Sequence, residues 1–136
     1  MKGYARGLVA RLFGKRRWLP TLLWVVAIFV VSSIPGPAMG APLFPGCDKV
    51  AHFIEYSILG VALRFWTEGA GGGTGKARRR RIAVVLVAAL VFAALDEAHQ
   101  KFIPGRTASI WDFAADACGL VVGFAGGMRT GLIEER

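Results

Sequence analysis

The stretch IAVVLVAALVFAALDEAHQKFIPGR, residues 82–106, decides the fold. From Ile82 to Leu95 it is apolar without a break and without alternation, a pattern that reads as a helix and not as a strand with one wet face. Asp96, Glu97, His99 and Gln100 then arrive together, and Pro104-Gly105 ends the run. Arg78 to Arg81 stand at its other end. The segment is thus an apolar rod, basic at its start and acidic at its close. In lipid its backbone groups must be paired within the segment, which demands a helix. Ionisable side chains at such depth are costly and mark a site by default.

Working outward, three more apolar runs occupy 18–34, 47–66 and 108–127, and the central one extends over 82–103. Each is close to the roughly 20 residues that a membrane span requires. The expectation is a single all-α domain over 1–136, a four-helix transmembrane bundle of the multi-pass type. Composition agrees: 54% of the 136 residues are hydrophobic and mean hydropathy is +0.49. The net charge of +8 does not imply nucleic acid, because the basic residues sit in short segments flanking apolar runs. Lys2, Arg6, Arg11 and Lys15 to Arg17 precede the first run, Lys76 and Arg78 to Arg81 the third, and Arg129 and Arg136 follow the fourth. This places both termini, the N-terminal segment 1–17 and the glycine-rich loop 67–81 in the cytoplasm, with 35–46 and 104–107 outside. Trp18, Trp66 and Trp111 suit interfacial anchoring, and Arg64 is placed to snorkel to the inner headgroups.

Several motifs are set aside. Asp96-Glu97-Ala98-His99 spells an acidic helicase box, and Gly71 to Lys76 looks like a phosphate loop. The latter lacks Gly at Ala70 and a hydroxyl at Ala77, and it runs into arginines instead of joining a strand to a helix. A cleaved signal peptide is disfavoured by the length of the first apolar run and by Pro35 and Pro37 near the candidate site. Cys47 and Cys118 have no pairing or zinc-ligand spacing and read as free thiols.

Helical spacing shows which polar residues can meet. Asp48, His52, Glu55, Tyr56 and Leu59 share one face of the second segment, Asp96, His99, Gln100 and Ile103 one face of the third, and Asp112, Asp116 and Gly119 one face of the fourth. Together they form a polar cup open to the outside, with Lys49 and Arg106 near its rim. Below it, Gly119, Gly123 and Gly127 at fourfold spacing permit close helix approach. Glu97 and Lys101, also four apart, are assigned to a local ion pair outside the cup. Any one histidine or acid reads more simply as a structural group, but five carboxylates and two histidines in one leaflet exceed what packing needs.

At these residues the chain resembles the VanZ-like family of small bacterial membrane proteins, named for a member linked to teicoplanin resistance. The resemblance rests on Asp48-Lys49 with His52 and Tyr56, on Asp96-Glu97 with Gln100, Phe102, Pro104, Gly105 and Arg106, and on Ser109, Asp112, Gly119 and Gly123. It covers roughly 20–125. Asp116 stands where Asn is common, and Glu55 is an unusual acid beside Tyr56, so this cup is more acidic than the family pattern. The resemblance implies a cell-envelope membrane protein and names no reaction.

Two functional readings follow. In the first, the cup binds or acts on a polar lipid or a lipid-linked cell-wall precursor, with glycopeptide resistance as a consequence. Asp48, His52, Asp96, Asp112 and Asp116 form the candidate acid–base set; Lys49, Glu55, Tyr56, His99, Gln100, Arg106 and Ser109 form the candidate binding set, with Arg106 as a bidentate anion clamp. In the second, the module is non-enzymatic, either structural or a cation or proton site in which Asp48, His52, Asp96 and Asp112 are the ligand candidates. No contiguous metal motif such as HExxH occurs, so neither a metal nor another cofactor is assigned.

Overall fold

The computed structural model describes residues 14, 16–69 and 75–127, and among them the chain is all-α, without strands. The helices are α1 (Leu19–Ser32), α2 (Cys47–Gly69), α3 (Lys76–Gln100) and α4 (Ile110–Gly126), with a short 3-10 turn at Gly36–Met39. Four helices were expected and four are found, but their ends move for identifiable reasons.

Pro20 sits in the first turn of α1, where its missing N–H costs nothing. Ser33 closes the helix through its amide and its hydroxyl, both bonded to the Phe29 carbonyl. α2 runs on past Trp66, and α3 begins at Lys76, so both ends of the expected loop 67–81 are helical. Arginine is a good helix former, and Arg78 pairs with Glu68 across the connection. α3 stops at Gln100, ahead of the expected 103. Arg106 N–H closes a turn onto the Ile103 carbonyl, and Gly105 within it takes a positive φ of 73°. α4 starts two residues later than 108 because Ser109 is its N-cap, its hydroxyl accepting the Trp111 N–H at 3.2 Å.

The tightest seam joins α2 to α4. A Cβ on Gly119 would strike the Phe53 carbonyl, one on Gly123 the Ser57 carbonyl, and one on Gly60 the α4 backbone at Leu120. Gly60 was not foreseen from the sequence, where no glycine spacing on the second segment draws attention to it. Tyr56, Leu59, Leu63, Leu120 and Phe124 fill the core beside this seam, with Ile28 from α1 and Ala89 and Ala93 from α3. A second close approach joins the turns after α1 and α3: Gly36 N–H donates to the Pro104 carbonyl at 2.9 Å, and a side chain on Gly36 would overlap Gly105.

Arg64 departs from its expected outward reach. It is buried, ion-paired with Glu68 at 2.7 Å, and lies over the Phe124 ring at 5.3 Å. Gly127 leaves the room for its stem at the end of α4.

The outer faces carry large apolar side chains, among them Leu23, Val26 and Val30 on α1, Val84, Val87, Val91 and Leu95 on α3, and Val121 and Val122 on α4. Contiguous apolar surface of this kind is rare on proteins surrounded by water. Among the described residues, Lys76–Gln100 alone is long and apolar enough to cross a membrane; Leu19–Ser32 is apolar but shorter.

Candidate functional site

Where α2 and α4 begin and α1 and α3 end, ionisable residues gather and divide into three connected groups. The first lies between α2, α3 and α4. His52 Nδ1 stands 2.9 Å from Asp116 Oδ1 and 3.7 Å from Glu97 Oε1, and all three side chains are buried. Glu97 Oε2 accepts the Ser109 backbone N–H at 2.9 Å, which ties the carboxylate to the entry of α4.

The second group lies in the seam between α3 and α1. Ser32 donates its hydroxyl proton to Asp96 Oδ2 at 2.6 Å, and Gln100 Nε2 reaches the same oxygen at 3.4 Å. Gln100 Oε1 in turn accepts from Arg106 Nε at 3.2 Å and Nη2 at 3.0 Å, while Arg106 Nη1 rests on Met39 Sδ at 2.9 Å. The third is at the rim: Lys49 bridges Asp48 at 2.9 Å and Asp112 at 3.0 Å.

A cleft of about 370 Å³ opens onto these groups, lined by Asp48, His52, Glu55, Asp112, Gln100 and Arg106 and roofed by the 39–43 segment. Most of the candidate residues are therefore brought to one place. Asp96, Tyr56 and Asp116 lie buried behind its wall. His99 is not part of it. That ring stacks on Phe29 with centroids 4.8 Å apart and meets Ser33 Oγ at 3.1 Å, on the α1 side of α3. Ser109 serves as the helix cap and the backbone tether of Glu97.

Glu97 departs furthest from its expected place. Instead of pairing with Lys101 it turns inward to His52. A step of about 100° per residue separates Asp96 from Glu97 around the helix. α1 packs directly on α2, and α3 meets α1 on one side and α4 on the other, so the two acids enter two different seams. The ligand set Asp48, His52, Asp96 and Asp112 is not gathered as a unit; among the described residues, the group able to converge on one ion is His52, Glu97 and Asp116. Sequence reading also missed Ser32 and Met39. Ser32 carried a usable signal, as a polar residue near the outer end of an apolar run, level with Asp96.

Several buried oxygens in this region have no hydrogen-bond partner among the described residues: Asp96 Oδ1, Glu97 Oε1, Asp116 Oδ2 and the Tyr56 hydroxyl. Buried polar atoms are normally satisfied, so this group of unpaired acid oxygens calls for an explanation.

An all-α chain with an apolar exterior, one helix long and apolar enough to cross a membrane and a polar cleft at one end has the features of membrane-associated helical proteins. The chain belongs to the VanZ/LLP1 family, whose family model matches residues 17–129. No curated protein and no solved structure matches it.

Proposed function

We propose that this chain is a multi-pass protein of the bacterial cell membrane, its four helices all spans and both termini cytoplasmic. Its cleft opens outward and binds the phosphorylated headgroup of a polar lipid or lipid-linked cell-wall precursor. The charge asymmetry of the loops and the apolar outer faces support the placement.

One observation carries the ligand class. Arg106 lines the cleft and has no carboxylate within ion-pairing distance among the described residues. Its partners are a neutral amide and a thioether, the latter a weak acceptor that an anion displaces easily. Gln100 holds the guanidinium by Nε and Nη2, presenting a planar fork suited to phosphate. Lys49, by spanning Asp48 and Asp112, softens the repulsion that these acids exert on an incoming anion. His52 beside Asp116 supplies proton-transfer capacity at the same cleft. A protein occupying such a precursor at the outer face also limits its capture by a glycopeptide antibiotic.

The test is titration of a phosphorylated polyprenol into the purified protein in nanodiscs. Arg106→Gln should weaken binding about tenfold or more, and Arg106→Lys by less, since charge is kept and the fork is lost. The unphosphorylated polyprenol should not distinguish the variants; equal affinity of wild type and Arg106→Gln for the phosphorylated lipid would overturn the reading. For orientation, Cys47 should react with an impermeant maleimide in intact spheroplasts and Cys118 should not. Labelling of Cys47 only after permeabilisation inverts the topology.

A further inference from the structure

We infer that His52, Glu97 and Asp116 bind one divalent first-row transition cation, with Zn²⁺ the best match. One ligand atom from each of these residues lies within 4.8 Å of the other two. They come from three different helices, α2, α3 and α4. Around an ion with bonds of about 2.1 Å in tetrahedral geometry, neighbouring ligand atoms stand roughly 3.4 Å apart. The contacts at His52 Nδ1, 2.9 Å to Asp116 and 3.7 Å to Glu97, bracket that spacing, and the two carboxylates, within 4.8 Å of each other, close on the ion as it binds.

An independent observation points to a ligand. Glu97 Oε1, the oxygen facing His52, and Asp116 Oδ2 are both buried without a hydrogen-bond partner, on side chains 8% and 0% exposed. The Glu97 oxygen, already turned to His52, is ready to receive a cation. Charge agrees, because two carboxylates meet a single histidine, and the nearby Lys49 and Arg106 are directed to Asp48, Asp112, Gln100 and Met39. A divalent ion with a neutral imidazole balances the cluster.

The donor set sets the class. One nitrogen and two carboxylates suit Zn²⁺ or its first-row neighbours better than Mg²⁺ or Ca²⁺, which favour oxygen shells, and no thiolate is present to select Cu⁺. Glu97 is already oriented by the Ser109 N–H on its other oxygen, the kind of outer support that metal-bound carboxylates need. Three protein ligands leave a further coordination position, and His52 lines the cleft, so the ion is reachable from it. The proposal stands apart from the lipid reading and does not require it.

The protein, purified in detergent and stripped with chelator, is titrated with Zn²⁺ and its metal content measured after desalting. One equivalent per chain is expected, with uptake weakened at least tenfold in His52→Ala, Glu97→Gln and Asp116→Asn. Asp96→Asn, in the other seam, should keep it, and Arg106→Gln should keep metal while losing lipid, which separates this proposal from the previous one. Substoichiometric uptake by wild type, or uptake indifferent to the three ligand variants, overturns the site. Because a variant in a buried cluster can fail to fold, wild type is also titrated with Co²⁺. Intense visible bands that Zn²⁺ abolishes support a low-coordinate protein site, and the pale spectrum of hydrated Co²⁺ alone overturns it.

Discussion

The α2–α4 seam and the surroundings of α3 are built on opposite terms. In the first, Gly60, Gly119 and Gly123 bring backbone against backbone, so that even one methyl group has no room. In the second, α3 touches its neighbours through side chains: Ala89 and Ala93, the half-buried Ile82, Val85, Leu86, Leu90 and Phe92, and polar groups at its end, while Val84, Val87, Val91 and Leu95 face outward. The difference is visible in the site. Phe53 and Gly119 each follow the site residues His52 and Asp116 by no more than a turn, so the glycine contact sets the 2.9 Å separation of that pair. Glu97, carried by the more loosely held α3, stands off at 3.7 Å. A rigid seam thus fixes two members of the cluster, and the looser helix brings the third.

Three substitutions probe that contrast. The largest effect belongs to Gly123→Ala, whose methyl meets the Ser57 carbonyl on a seam with no slack; a loss of about 3 kcal/mol is expected, at the upper end for overpacking. It is read as a fall in the thermal midpoint in detergent, and an unchanged midpoint would show that the seam yields. Next comes Gly119→Ala, expected to cost about 2 kcal/mol and also to push His52 away from Asp116. Zinc uptake should therefore fall in this variant even where the fold persists; intact uptake would break the link between seam and site. The smallest is Ser32→Ala, which removes a donor to Asp96 in the α1–α3 seam and should cost about 1–2 kcal/mol, since the carboxylate oxygen keeps Gln100. Its zinc uptake should match wild type, because Asp96 and Glu97 serve different seams. A loss there would mean that the two networks act as one.

Much of this was legible in the chain. Apolar runs of the right length made four helices, and the 3.6-residue period placed Asp48, His52 and Tyr56, or Asp112, Asp116 and Gly119, on common faces. Those directions are properties of a helix relative to its own axis, set by local backbone geometry. So are the stops: Pro35 after α1, Pro104-Gly105 after α3 and the Ser109 cap of α4 act within a few residues of themselves.

What a helix face meets is another matter, because it depends on the azimuth and neighbours of every helix at once. Asp96 and Glu97 are adjacent in sequence, yet one answers Ser32 and Gln100 and the other His52 and Ser109, since α3 meets α1 on one side and α4 on the other. His99 shares the period of Asp96 but falls against Phe29 and Ser33, outside the cleft. Arg64 turns inward because Phe124 and Glu68 are there to receive it. The chain by itself determined which residues are helical, which faces are polar and at which end they collect. Only the packing of α1 and α3 around the glycine seam decided which acids meet which partners, because that choice is made by contacts between different helices, such as His52 with Asp116, separated by 64 residues.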